Sequence, residues 1–211
     1  MSARVLLADD QPMFRHSLRA VLEREGFEVV AEAEDGRSAV RLAVELQPAI
    51  AVLDIAMPLL NGIDAAHAIH RQTRERTQVV LLTMYEENAY ALEALRAGIR
   101  GYVLKTQAAT DLTTAMHEVL RGALYLSPAI FATLVNAYRT ASEPPSAPLT
   151  DREREVLQLI AEGNSTKQVA RVLELSVRTA DSHRSRIMQK LDLHTTAALV
   201  RYAIRCGVIR P

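Results

Sequence analysis

The sequence predicts an α/β doubly wound, five-stranded parallel sheet over residues 1–125, then a linker over 126–148, then an all-α four-helix domain over 149–211. Three observations carry this reading. Short apolar runs alternate five times with amphipathic stretches, which is the pattern of repeated βα units. Runs such as Val79-Val80-Leu81-Leu82 are apolar throughout, as expected when a parallel sheet is covered on both faces. From Thr150 onward every segment has helical spacing and none has a strand signal.

Taken in order, the candidate strands are Val5–Ala8, Val29–Ala33, Ile50–Leu53, Val79–Thr83 and Gly101–Leu104. Helical patterns lie between and after them, near 12–25, 36–46, 62–72, 87–97 and 110–121. Right-handed crossovers then wind the sheet in both directions. Ser127-Pro128 reads as an N-cap followed by proline at the first helical position, opening a short helix to about Arg139. The stretch Ala141-Ser142-Glu143-Pro144-Pro145-Ser146-Ala147-Pro148 has three prolines and no core-sized side chain, so it reads as a semi-extended tether. Helices follow at about 151–162, 165–173, 177–191 and 195–206. Thr150-x-x-Glu153 and Ser165-x-x-Gln168 match the capping box, in which each side chain satisfies the other residue's orphan backbone N–H.

Bulk composition narrows the function classes. Hydrophobic residues make up 49% of the 211, enough for packed cores, while aromatics at 4% with no Trp argue against a stacking-based carbohydrate site. The single cysteine, Cys206, excludes an internal disulfide framework and any multi-cysteine zinc site. The apolar run after Met1 is short and ends in Asp9-Asp10, so a signal peptide or membrane span is not expected, and the cytoplasm is. The zero net charge divides unevenly: residues 148–211 hold 11 Lys+Arg against 7 Asp+Glu, and the rest hold 14 against 18. The basic portion suits polyanion contact.

Chemistry concentrates at the predicted strand ends. Asp9 and Asp10 close the first strand, and Asp54, 44 residues beyond Asp10, closes the third. With strand order 2-1-3-4-5, the first and third strands are neighbours, and their carboxyl ends flank the topological switch point where open α/β sheets bind ligands. Three converging carboxylates need protonation or a divalent cation, and oxygen-only ligands point to Mg2+. Thr83 ends the fourth strand with a hydroxyl, and Lys105 ends the fifth with a compact cation. This set suits acyl-phosphate chemistry, with Asp54 as nucleophile and Mg2+ and Lys105 offsetting charge on the transferring group.

Asp9-Asp10, Asp54-Ile55-Ala56-Met57-Pro58 with Asn61-Gly62, Thr83 and Leu104-Lys105 together resemble the receiver domain of response regulators, over residues 3–122. The resemblance implies a flavodoxin-like fold and phosphoryl transfer from a histidine kinase to Asp54. It also implies Mg2+ on Asp10 and Asp54, assisted by Asp9 and the backbone carbonyl of Ala56. Thr83 and Tyr102 would form a switch pair: the hydroxyl moves toward the phosphoryl oxygens, and the ring turns inward. Two positions depart from the common pattern. Thr106 stands where many receivers have proline, and Ala56 offers no polar side chain beside the acceptor. Tyr102 as an ordinary half-buried strand aromatic is an equally good reading. His67 and His70 share a predicted helix without a third ligand and read as solvent-facing.

Leu173-Glu174-Leu175-Ser176 is a tight turn ending in an N-cap serine between two short helices, the helix-turn-helix arrangement. In the following helix Val177, Ala180, Ile187 and Leu191 recur at core spacing. Arg178, Asp181, Ser182, Arg184, Ser185, Arg186 and Gln189 lie outward, a face suited to base edges and phosphates. The run Leu149-Thr150-Asp151-Arg152-Glu153-Arg154-Glu155-Val156-Leu157, then Ala161-Glu162-Gly163, Leu175-Ser176, Thr179, His183, Ile187-Met188 and Lys190-Leu191 closely resembles the LuxR-type effector domain of the NarL/FixJ response regulators. That implies binding to promoter DNA as a homodimer, with Lys167, Ser182, Arg184, Ser185 and Lys190 as contacts and RNA polymerase as a further candidate partner. Asp181 stands where lysine is common, and a partner for Arg178 or Arg184 within the helix is its preferred role. His183 is expected to pack inward.

Two rival readings remain. A Mg2+-dependent aspartate-nucleophile phosphatase needs a second Asp two residues after the nucleophile, where this chain has Ala56, and no segment is left for a substrate cap. A transcription regulator acting without phosphate, constitutively or under a small ligand, is opposed by the intact acidic set.

Overall fold

The computed structural model describes residues 2–84, 95, 98–132, 135, 149–205 and 208–209. The chain divides into two compact units, Met1–Thr140 and Ala141–Pro211.

In the first unit, β1 (Arg4–Ala8), β2 (Glu28–Ala33), β3 (Ile50–Asp54), β4 (Gln78–Thr83), β5 (Gly101–Leu104) and β6 (Tyr125–Leu126) form one sheet. Its order is β2-β1-β3-β4-β5-β6, and all pairs are parallel. The sheet therefore has six strands, not the five expected. Two residues are too few to show a period, and β6 is held by main-chain bonds: Tyr125 N donates to Arg100 O at 2.7 Å and Ser127 N to Tyr102 O at 3.0 Å. The described helices are α1 (Pro12–Arg24), α2 (Gly36–Leu46), α3 (Gly62–Thr73) and α4 (Ala108–Leu120). Of the expected helix at 87–97 only residue 95, which is helical, is described; the Pro-rich tether at 141–148 lies outside the described residues, and the helix opening at Pro128 is described only in part.

The fully apolar strands have the expected cause. Every residue of β3 is buried, because packed layers cover both faces of the sheet. Leu6, Ala8, Leu53 and Leu81 pack with Ala65 and Ile69 on the α2/α3 side. Val5, Leu7, Val52 and Val80 pack with Leu22, Leu112 and Met116 on the α1/α4 side. Edge strand β2 is less buried, and its Glu32 holds Arg15 and Arg19 of α1, at 2.9 and 2.8 Å.

In the second unit, α5 (Asp151–Ala161), α6 (Thr166–Val172), α7 (Val177–Lys190) and α8 (Thr196–Arg205) form a helical domain. Both predicted capping boxes are present, Thr150 with Glu153 and Ser165 with Gln168. Ser176 caps α7 by accepting from Thr179 N at 3.0 Å. Among the described residues, no helix is long and apolar enough to cross a membrane.

Candidate functional site

Register brings the acidic set together. Ala8 pairs with Leu53, Asp54 with Leu82, and Thr83 with Leu104, so the carboxyl ends of β1, β3, β4 and β5 are level. Asp9 follows β1, Asp54 ends β3, Thr83 ends β4, and Lys105 opens a 3-10 turn (Lys105–Gln107) after β5. The Lys105–Thr106 peptide is trans.

Lys105 Nζ lies 2.6 Å from Asp9 Oδ2 and 2.9 Å from Asp54 Oδ2, with all three side chains buried. Carboxylate oxygens of Asp9, Asp10 and Asp54 lie within 4.8 Å of one another, and Asp10 is the half-buried member. Three carboxylates around one ammonium leave two formal negative charges, which a divalent cation offsets. The Lys105 approaches are ion pairs without hydrogen-bond alignment, which leaves the buried Asp9 Oδ2 able to face a second cation. This donor set fits a hard, oxygen-seeking ion.

Supporting residues escaped the sequence reading. Gln11 N donates to Asp9 Oδ1 at 2.9 Å, and Arg15 Nη1 donates to the Asp9 carbonyl at 2.6 Å. The Phe14 ring faces Lys105 Nζ at 4.8 Å, a cation–π contact on the ammonium. Phe14 and Arg15 fall within the first turns after Asp9-Asp10, and only the docking angle of α1 shows that they turn toward the site.

The loop after Asp54 is held tightly. Asn61 caps α3 by accepting from Ile63 N and Asp64 N, both at 3.0 Å, and its amide donates to Asp64 at 2.8 Å. Gly62 N donates to Ile55 O at 2.8 Å, and a Cβ on Gly62 would meet the Asp54 carbonyl oxygen at 2.1 Å. The Asn61-Gly62 pair therefore supplies a cap and then a close approach to the acceptor strand. Ala56 is half-buried in this loop.

Thr83 and Tyr102 touch. Tyr102 is buried, with its ring already inward, and its hydroxyl shares a hydrogen bond with the Thr83 side chain. Burial pushes its phenol well above the ordinary range, and the Thr83 bond offsets this only partly. His67 and His70 are half-buried rather than solvent-facing, and with Arg71 and Glu75 they line a shallow hollow on α3. They do not form a carboxylate–histidine metal cluster among the described residues.

The second unit presents α7 differently from its sequence pattern. Ala180 and Ile187 are buried as expected, but Val177 is 48% exposed, because position N1 lies beyond the packed turn. Lys167, Arg178, Ser182 and Ser185 are exposed. Lys190, expected as a DNA contact, has its ammonium 2.7 Å from Glu153 Oε2 on α5. Arg184 is half-buried and donates to Thr196 Oγ1 at 2.9 Å. Asp181 is exposed and enters none of the ion pairs of the described residues, so the expected pairing with Arg178 or Arg184 is not found. Ser182 Oγ donates back to Arg178 O at 3.0 Å. His183 is half-buried with Nδ1 inside, in keeping with packing.

Comparison with known proteins places both units. The family described as response regulator receiver domain matches residues 5–117, and the family described as bacterial regulatory proteins, luxR family, matches 147–203. The chain is 35% identical over 207 residues to the transcriptional regulatory protein MctR of Rhizobium johnstonii, covering 98% of this chain and 95% of that one. It is 34% identical over 205 residues to the transcriptional regulatory protein LiaR of Bacillus subtilis, covering 96% and 97%. Among solved structures it is similar to RcsB of Salmonella enterica serovar Typhimurium bound to promoter DNA in the presence of a beryllofluoride phosphomimetic. That match has 29% identity, TM-score 0.69, and coverage of 96% and 98%.

Proposed function

The chain belongs to the NarL/FixJ response regulators of two-component systems, which join a receiver to a LuxR-type DNA-binding domain, and from that premise we propose that Asp54 is the phosphoryl acceptor that governs its promoter binding. The receiver extends over 1–125, the linker helix and tether over 126–148, and the DNA-binding domain over 149–211. The observation that carries the proposal is Lys105 held between Asp9 and Asp54 beside Asp10.

An Asp54 carboxylate oxygen attacks the phosphorus of a kinase phosphohistidine; the phosphorus–nitrogen bond breaks and the imidazole leaves with that electron pair. Asp9, Asp10, Asp54 and the Ala56 carbonyl would hold Mg2+, which when bound supplies electrostatic neutralisation of the phosphoryl oxygens. Lys105 offers its ammonium to the same oxygens, and the Thr83 hydroxyl, exchanging its Tyr102 partner, donates to another. Water attack on phosphorus returns the carboxylate and frees phosphate. The Thr83/Tyr102 pair thereby couples the acceptor to the receiver surface, and the resulting population shift favours a homodimer.

Two copies would set their α7 helices in successive major grooves about one helical turn apart. Lys167 and Arg178 approach the DNA backbone, with Ser182 and Ser185 at base edges. Arg184, held by Thr196, has donors left for a phosphate; Lys190 acts through Glu153 rather than directly. The protein works in the cytoplasm, with RNA polymerase as the downstream partner of the promoter-bound dimer.

The test is intact-mass spectrometry of the full chain incubated with acetyl phosphate and Mg2+. One added phosphoryl group is expected, absent in Asp54→Asn and without Mg2+. Equal labelling of Asp54→Asn would overturn the assignment.

A further inference from the structure

Among the described residues of the second unit, Val177 is the one exposed large hydrophobic side chain, at 48%. Its sequence spacing puts it with the core positions Ala180 and Ile187, yet those are 1% and 0% exposed. Packing therefore does not account for it. Val177 is the first residue of α7, directly after the N-cap Ser176, which accepts from Thr179 N and hydrogen-bonds the Thr179 hydroxyl at 2.7 Å. The cap fixes the backbone there, and a β-branched side chain has little χ1 freedom to lose on binding.

Its exposed neighbours on the helix, Arg178, Asp181, Ser182 and Ser185, are all polar or charged. In a helix-turn-helix the N-terminal residues of the second helix meet base edges in the major groove. The one base-edge group there that is apolar is the C5-methyl of thymine. We propose that Val177 is a specificity-determining residue that reads a thymine methyl in the operator half-site. The inference rests on the DNA-binding reading above and deepens it. Polar side chains of α7 orient the helix on phosphates and polar base edges; Val177 adds discrimination between thymine and any base lacking the methyl.

The experiment uses the full chain, with acetyl phosphate and Mg2+, to select duplexes from a random-sequence library. Each thymine of the selected half-site is then replaced singly by deoxyuridine, which removes only the methyl. At one thymine the loss of affinity is expected to be about fourfold, the scale of one buried methyl-sized group. Val177→Ala should bind the thymine duplex about fourfold more weakly and be indifferent to that deoxyuridine. Val177→Ile should keep the sensitivity, which separates loss of the contact from damage to the helix. A deoxyuridine penalty unchanged in Val177→Ala, or no penalty at any thymine in the native chain, would overturn the assignment. Failure to enrich any duplex would instead remove the DNA-binding premise, and the inference with it.

Discussion

The Lys190 ammonium lies 2.7 Å from the Glu153 carboxylate, tying the last turn of α7 to the first turn of α5. Glu153 is 3% exposed and also accepts from Thr150 N at 2.8 Å, so one carboxylate serves a helix cap and an interhelix ion pair. Lys190→Ala leaves that buried carboxylate short of a cation. A stability loss of about 1–3 kcal/mol is expected in urea or thermal unfolding of the second unit. The slope of log affinity for DNA against log salt should stay as it is; a slope reduced by about one would restore Lys190 to the phosphate contacts.

The same carboxylate sets an acid limit. Burial pushes the Glu153 carboxyl up, but the Lys190 and Thr150 hydrogen bonds and the Lys190 charge together hold it below the usual range. A depressed folded value means the stabilisation is full above the ordinary glutamate value of about 4.3 and is lost as pH falls through the lower folded one. Unfolding midpoints of Lys190→Ala should therefore depend less on pH in that window than those of the native chain.

Removing Lys105 should expose the charge imbalance of the receiver. Lys105→Met leaves Asp9 and Asp54 buried without their common cation, at a cost of about 3–5 kcal/mol in metal-free buffer. Thermal melts against Mg2+ concentration are expected to show a larger stabilisation by Mg2+ than in the native chain. Equal Mg2+ responses would mean that the ion and the lysine do not share these carboxylates.

Gly62 is constrained by space. It has no positive φ to require glycine, but an added Cβ would lie 2.1 Å from the Asp54 carbonyl oxygen. Gly62→Ala should force β3 and α3 apart, destabilise the receiver by about 1–3 kcal/mol and slow acetyl-phosphate labelling. Urea unfolding and labelling rates measure the two effects.

Tyr102 gives an optical readout. Burial raises its phenol above the ordinary value near 10, so folding holds the proton that the unfolded chain loses. Its contribution is complete below about pH 10 and declines as pH rises beyond it. Ultraviolet titration should show Tyr102 ionising only with unfolding, and Tyr102→Phe should remove that late step.

Much of the acidic site was legible because a strand ends where its apolar run ends. Asp9, Asp54, Thr83 and Lys105 each follow such a run, and parallel register makes run ends coincide. Phe14 and Arg15 were not legible. Their spacing places them on a helix, but which of its side chains reach the strand ends depends on how α1 docks. Likewise β6 has too few residues to carry a period, and main-chain bonds to Arg100 and Tyr102 define it.

On α7, periodicity identified Ala180 and Ile187 as core, since every inward turn repeats the pattern. It misjudged Val177, because spacing cannot tell where a neighbouring helix stops covering the face. Nor did it reveal the ion pair of Lys190: a charged residue near an apolar stripe can point to solvent or to a buried partner, and only the packing of α5 places Glu153 within reach. Sequence alone determined the order of strands β1 to β5, the caps of α5, α6 and α7 and the kinds of group at the strand ends, because those follow from local period and local hydrogen-bonding needs. Tertiary structure alone decided which charges meet and which apolar side chain stays uncovered, because both depend on distances between segments remote in the chain.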